Sequence, residues 1–345
     1  MVHLIKDTRS LSGYILTMTK KLLIIRFSSF GDIIFCRSLL TSLKDESWST
    51  DWLVRSDLAG ALGNDENLNH CFRFDRKDGL LGLIRMSFEL RKNNYDVIYD
   101  AHNNIRSTIV RFIVSFFSRS RLIIRPKDRL KRFLLFKLRI NKFPSPFKAM
   151  ESYWWPLKKA LSLTSSLKPI NWPQKPGTEE WKKLKKSIVL APATAWPMKS
   201  WPVGHWKRLI ELLPQESFIL LGGPADTFCE DIASVASDRV ENWAGRFSLA
   251  ESCAHAAHAR FIITGDTGLQ QVADLAGVSG LSLIGPTAFG FPTMGSLKVL
   301  EVDLPCRPCT KDGRGNCHRE IYQECMVAIT PDRVAQETRD FLNNS

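Results

Sequence analysis

No apolar run in this sequence reaches the roughly 20 residues that a membrane-spanning helix needs. The densest candidate, Ile109 to Phe117, is short and is interrupted by Arg111. No continuous apolar stretch marks a secretory signal, and the apolar residues before Leu22 are scattered. These two absences predict a cytoplasmic protein. Neither GxGxxG nor GxxxxGK(S/T) follows any predicted strand, which counts against a nicotinamide dehydrogenase and a P-loop enzyme. Acids are in deficit: 35 Asp and Glu face 48 Lys and Arg, a net charge of +13. That balance points to an anionic partner, whether nucleic acid, membrane or phosphorylated substrate, with a generally solvated basic surface as the plainer reading. Eight cysteines in a cytoplasmic chain of this size argue against a disulfide framework.

What is present suits a globular protein. The chain has 345 residues, room for two domains, and is 44% hydrophobic and 24% charged. Residues 1–20 read as an extension, and Met18 is an alternative initiator. The run 21–27 reads as a buried parallel strand, followed by a Gly-containing turn and, from Asp32, a helix with Ile33, Cys36, Leu39, Leu40 and Leu43 on one face. Strands are predicted again at 51–55, 96–100, 187–190, 218–221, 261–264 and 281–284. Helices are predicted at 80–91, 105–117, 203–213, 249–258 and 267–277, and another from about Asp226. This alternation predicts an α/β fold with parallel sheets covered by helices on both faces. Ser, Thr, Pro and Gly crowd residues 164–178, so a linker is expected between a first domain at 21–163 and a second at 179–330. Pro331 opens a final helix, 331–345, expected to pack back on the first domain.

Two doubly wound halves place a cleft between them, and ligands bind beyond the carboxyl ends of the strands. Three motifs sit there. In Ser28-Ser29-Phe30-Gly31-Asp32, Gly31 permits backbone geometries that other residues resist, and the Asp32 carboxylate is placed to act as a general base. An ordinary helix N-cap is the rival reading and stands slightly ahead on spacing alone. In the stretch 191–202, which contains Thr194, Lys199 is placed to neutralise a departing diphosphate. Its rival, a surface lysine, is weakened by the Trp and Pro residues that fix the loop. In Gly265-Asp266-Thr267-Gly268-Leu269, a helix start offers free N–H groups to an anion; a plain capping turn is as good a description. Asp226, after Gly222-Gly223, is a ribose-hydroxyl candidate, and Gly285-Pro286-Thr287 is a further turn after a strand.

Taken together, LLIIRFSSFGD (22–32), YDVIYDAHNNIRS (95–107), VLAPATAWPMKSWP (189–202), NWAGRFSLAE (242–251), ITGDTGL (263–269), Gly285–Thr287 and the cysteine-rich tail resemble the lipopolysaccharide heptosyltransferases of glycosyltransferase family 9. The resemblance runs from about residue 20 to the end. It implies a GT-B fold, two Rossmann-like domains around a cleft. It also implies inverting transfer of heptose from ADP-heptose to a lipid-linked inner-core acceptor, with no metal or cofactor required. By resemblance Asp32 takes the catalytic-base position and Lys199 the diphosphate-binding one. Thr194, Asp226, Asp266, Thr267, Gly268, Leu269, Pro286 and Thr287 fall at the donor site. Ser29, Gly31, Asn103, Arg106, Arg125 and Arg129 fall on the acceptor side. Three positions depart from the family pattern: Phe35 and Gln271 stand where His is common, and Ala288-Phe289 stands where Asp-Pro is common. These departures put the exact donor and acceptor in question and leave a non-catalytic binding protein as the alternative.

Arg119–Lys148 interleaves basic and apolar residues, which suits an anionic membrane or phosphorylated lipid on one side and a packed helix on the other. No nucleic-acid motif accompanies that charge. The expected setting is therefore the cytoplasmic face of a Gram-negative inner membrane, with the lipid A-core acceptor as partner. Cys306, Cys309, Cys317 and Cys325 offer one pair at metal-ligand spacing that the second pair does not repeat. Reduced, loop-packing cysteines are favoured over a structural metal site.

Overall fold

The computed structural model describes residues 19–344, so the expected extension lies almost wholly outside the described residues. Five parallel strands, β1 (Lys20–Ile25), β2 (Trp48–Arg55), β3 (His70–Phe74), β4 (Val97–Asp100) and β5 (Arg121–Ile124), form the first sheet in the order β3-β2-β1-β4-β5. Its helices are α1 (Phe30–Arg37), α2 (Leu39–Asp45), α3 (Gly79–Arg91), α4 (Ile105–Ser115), α5 (Arg129–Leu138) and α6 (Ala149–Leu161). After α7 (Thr178–Lys186), six parallel strands form the second sheet: β6 (Ser187–Ala191), β7 (Ser217–Leu220), β8 (Val240–Asn242), β9 (Phe261–Gly265), β10 (Gly280–Leu283) and β11 (Leu297–Leu300). Their order is β11-β10-β9-β6-β7-β8. Helices α8 (Val203–Leu212), α9 (Phe228–Ala233), α10 (Leu249–Ala257), α11 (Gly268–Leu275), α12 (Glu324–Val327) and α13 (Pro331–Asn343) complete this half.

The central strands are apolar because both their faces are covered. In β1, Leu23 and Ile25 point into a cluster with Leu83, Leu90, Val110 and Val114 of α3 and α4. Leu22 and Ile24 point the other way, into a cluster that runs through α1, α2 and α6 and on into α10, α11 and the facing side of the second sheet. One continuous core therefore joins the two halves, and α1 packs directly on α11.

Each sheet has its switch point where neighbouring strands lead to helices on opposite faces. In the first sheet this lies between β1 and β4; in the second, between β6 and β9. Loops after those four strands form the rim of the cleft.

Three expectations need correction. The final helix α13 does not pack back on the first domain. It lies on α8 and β10, with Val334 and Ala335 in the second core and Phe341 4.6 Å from Phe261 between ring centroids. Residues 164–178 are no free linker. Trp172 is buried under the Arg37 guanidinium, 3.7 Å from its ring centroid, and Ile170 donates its N–H to the Leu275 carbonyl. The basic stretch Arg119–Lys148 is not one helix but edge strand β5, helix α5 and an irregular segment.

Candidate active site

Asp32 is the third residue of α1, just past the end of β1. Its carboxylate gathers three partners. Arg26 Nη2 lies 2.5 Å from Oδ2, Ser29 Oγ donates to Oδ2 at 2.8 Å, and Tyr153 Oη donates to Oδ1 at 2.7 Å. Burial pushes the Asp32 pKa up; the Arg26 guanidinium, the two hydroxyls and the more distant Arg125 outweigh it and hold the carboxyl well below the usual carboxylate range. Arg26 is itself anchored by donating to the Ala101 carbonyl at 2.7 Å. Tyr153 is braced by Arg125, whose guanidinium stacks 3.8 Å from the ring centroid and donates to Ser152 Oγ at 2.8 Å.

The loop after β4 is folded by buried Asp100. Its carboxylate accepts from the His102 and Asn103 N–H groups at 3.0 and 2.6 Å, from Ser107 Oγ at 2.9 Å, and from Arg111 at 2.6 Å. Asn103, held at positive φ, then donates from its side chain to the Arg125 carbonyl at 3.0 Å. His102 is pushed down to about 3, first by burial and then by nearby Arg26, so its imidazole is neutral.

On the other rim, Lys199 Nζ donates to the Asp266 carbonyl at 2.6 Å and lies 3.3 Å from its carboxylate. Thr287 Oγ1 donates to the same carboxylate at 2.7 Å. Thr194 Oγ1 bonds Ser200 Oγ at 2.7 Å and the Trp196 carbonyl at 2.9 Å, shaping the loop that carries Lys199. Thr267 caps α11 by accepting from the Gln270 N–H at 3.2 Å. Gly313 of the cysteine-rich loop has no room for a side chain, since a Cβ would meet Lys199 Cγ at 2.6 Å. The Pro286 carbonyl accepts from the N–H groups of Cys309 and Thr310 at 3.0 and 3.2 Å. That loop therefore seats on the lysine and on the Gly285–Thr287 turn.

The two rims meet at α1 and α11. Gly31 is helical, not left-handed, and a Cβ there would make ordinary 3.8 Å contacts, so its backbone freedom is not what the site uses. The tight position is Gly268, where a Cβ would lie 2.0 Å from Phe30 Cδ1. Beside it, Phe289 reaches into the first domain against Phe136, Phe143 and Phe147, with ring centroids 4.8–6.0 Å away, and under the Arg132 guanidinium at 4.9 Å.

Most of the residues singled out in the sequence come together here, and some do not. Asp226 spends its carboxylate on its own turn, accepting from the Gly223 N–H at 2.6 Å. Leu269 packs on the core. Arg106 and Arg129 are exposed and make no ion pair among the described residues. Phe35 is a buried ring 6.2 Å from Tyr153. All eight cysteines are free, and burial raises Cys309 and Cys325, the latter to about 11. Among the described residues no group of three or more His, Cys, Asp or Glu is arranged to hold a metal ion. Arg26 and Tyr153 carry the electrostatics of Asp32 and were not foreseen. A single charge closing an apolar strand was the available signal for Arg26; Tyr153 had none.

The profile of glycosyltransferase family 9 (heptosyltransferase) matches residues 83–318. Lipopolysaccharide heptosyltransferase 2 of Salmonella typhimurium is 24% identical over 94% of this chain and 99% of its own length. A stretch of 172 residues is 30% identical to lipopolysaccharide heptosyltransferase 1 of Pseudomonas aeruginosa, so 45% of this chain spans 48% of that relative. Among solved structures, the ADP-heptose lps heptosyltransferase II of Escherichia coli superposes with a TM-score of 0.68 at 19% identity, over 94% of this chain and 99% of that one. The Escherichia coli heptosyltransferase WaaC with ADP gives 0.70 at 18%, over 93% and 99%. These likenesses establish the GT-B fold. With the family profile spanning well over half of its length, the chain belongs to glycosyltransferase family 9, the heptosyltransferases.

Proposed function

We propose that this protein moves heptose, with inversion, from ADP-heptose to a lipid-linked inner-core acceptor of lipopolysaccharide, at the cytoplasmic face of a Gram-negative inner membrane. Asp32 collects the proton of the acceptor hydroxyl as its oxygen bonds to the anomeric carbon. The bond from that carbon to the diphosphate oxygen breaks, and the charge left on ADP is met by Lys199 and the N–H groups at the head of α11. Positive charge and a helix dipole already aimed at the leaving group do the work that a metal does elsewhere, so the reading is metal-independent. Arg125, Arg129 and Asn103 are the acceptor-side groups, and Thr194, Thr267 and Thr287 shape the donor side.

One observation carries this reading. An ionised Asp32 and the Lys199–Asp266–Thr287 group stand at the switch points of two facing sheets, joined through Phe30 and Gly268. Arg26 keeps Asp32 charged at some expense of basicity. A hydroxyl becomes strongly acidic only as its new bond to carbon forms, so a weak base suffices to take the proton late. The neighbours crystallised with ADP and with an ADP-heptose analogue support an adenine nucleotide donor.

The test is Asp32→Asn. Turnover should fall at least ~100-fold, the low end of what a positioned general base contributes. ADP should still raise the melting temperature, because a ligand that binds only the folded state must do so. Retained turnover would remove Asp32 from the mechanism. Stabilisation by UDP in place of ADP would change the donor.

A further inference from the structure

We propose that the outer face formed by α3 and α4 is a docking surface for an anionic phospholipid bilayer; the inference rests on the acceptor being lipid-linked. These two helices pack side by side on the side of the first sheet that faces away from the second domain. Their inward residues fill the core. Their outward residues are apolar too, which a solvated helix face does not require.

On α4, Ile105 and Phe112 recur at helical spacing and point outward, 82% and 64% exposed. Phe116 and Phe117, just past the helix end, are also exposed, Phe117 by 89%. On α3, Leu81 and Phe88 form the neighbouring stripe, and Leu81 is 78% exposed. Among the described residues nothing covers this face.

Charge selects the occupant. Residues 101–150 hold thirteen Lys and Arg and a single acid, Asp128, a net +12 out of the chain's +13. Part of this charge turns inward: Arg125 braces Tyr153, Arg132 lies over Phe289, and Arg111 pairs with Asp100. Arg85 sits between Leu81 and Phe88, and Arg106, Arg119 and Arg121 flank the apolar stripe of α4. All four are exposed, and none forms an ion pair among the described residues. Two copies of such a face would repel each other, whereas apolar side chains ringed by arginines match an acyl layer beneath anionic headgroups. The geometry also suits the chemistry. Both helices begin at the carboxyl end of the first sheet, so a bilayer against this face would end at the rim that carries Asp32 and Asn103. The basic segment read from the sequence as the membrane contact, Arg119–Lys148, is thus only its edge; α5 beyond it turns toward the cleft through Phe136 and Arg132.

The measurement is co-sedimentation of the full chain with phosphatidylethanolamine vesicles, with and without phosphatidylglycerol. The wild type should bind only the anionic vesicles, and salt should release it. Phe112→Ser/Phe117→Ser should lower partitioning about 100-fold, and Arg119→Glu/Arg121→Glu at least ~10-fold. The arginine variant changes only exposed side chains, and it carries the test if the serine variant melts early. Transfer to a water-soluble acceptor oligosaccharide should be unchanged in both. Wild-type indifference to phosphatidylglycerol, variants that sediment like the wild type, or a wild-type dimer that becomes monomeric in Phe112→Ser/Phe117→Ser would overturn the proposal. Vesicle binding without transfer would sink the proposed reaction and leave the docking face standing; transfer without vesicle binding would do the reverse.

Discussion

Gly268→Ala isolates the contact that sets the distance between the two rims. A methyl group there would lie 2.0, 2.3 and 2.6 Å from three ring carbons of Phe30, well inside contact distance. Phe30 opens α1, two residues before Asp32, and Gly268 opens α11. The clash cannot be relieved by a small rotation, because the ring packs against the core shared by both halves. Forcing a methylene-sized group into a filled site costs about 1–3 kcal/mol. Part of that cost should appear as separation of α1 from α11, and with it a fall in kcat/KM of roughly 10-fold or more from sub-ångström misplacement of the base. The decisive assay is a double-mutant cycle with Phe30→Ala, read by denaturant unfolding. Removing the ring makes room for the methyl group, so Gly268→Ala should then cost little, and the coupling energy should be about 1–3 kcal/mol in favour of the double variant. Equal cost of Gly268→Ala in both backgrounds would refute the reasoning and mean that the helix start, not the ring, is what requires glycine.

Two pH effects follow. In the wild type, the depressed Asp32 carboxyl stays charged across the working range, and its contribution to stability is lost only as pH falls through that low value. In Arg26→Gln the upward push of burial is opposed only by the Tyr153 and Ser29 hydroxyls and the more distant Arg125. The acid limb of kcat/KM should climb by about 1–2 pH units, the smaller figure allowing for a carboxylate still 35% exposed. A limb left in place would show that Arg26 does not govern the base. Asp274 behaves oppositely. Burial raises it to about 6 although it accepts N–H bonds from Thr293 at 2.5 Å and Met294 at 3.0 Å. Its contribution is fully present below the ordinary carboxylate range and is lost as pH rises through 6, on the order of 2–3 kcal/mol in all. Unfolding free energies measured across that window should fall in the wild type and stay flat in Asp274→Asn; parallel curves would exclude the assignment.

The strands readable in the sequence and those that were not divide along a physical line. All seven interior strands were predicted, and the four that were missed, β3, β5, β8 and β11, are the edges of the two sheets. An interior strand of a parallel sheet is covered on both faces and so carries a run of consecutive apolar residues. An edge strand such as His70-Cys71-Phe72-Arg73-Phe74 is half-wet and carries no such signature. Helix α6 was hidden by Pro156, which normally breaks a helix, and α7 by the Pro- and Gly-rich stretch that precedes it. Asp32, Lys199 and Asp266 were legible because each follows an interior strand. Tyr153 was not, since it reaches Asp32 from 121 positions away. The exposed apolar stripe of α4 was not legible, because the sequence does not say which apolar side chains meet the core.

Two of the departures from the family pattern are neighbours in space. Gln271, where His is common, donates its amide to the Gly290 carbonyl at 3.3 Å, as Gln270 does at 2.7 Å. Gly290 directly follows Phe289, the ring seated among Phe136, Phe143 and Phe147. Any side chain at Gly290 would collide with the Asp266 carboxylate, a Cβ lying 2.2 Å from its Cγ, so the loop has no freedom to shift. The substitutions are therefore epistatic. Grafting the family's histidine alone would take one donor from that carbonyl while the ring kept the loop where it is. Grafting Asp-Pro alone would empty a nest of three rings. Gln271, Phe289 and Gly290 thus work as one packed unit, and a swap at any one of them should be read only together with swaps at the others.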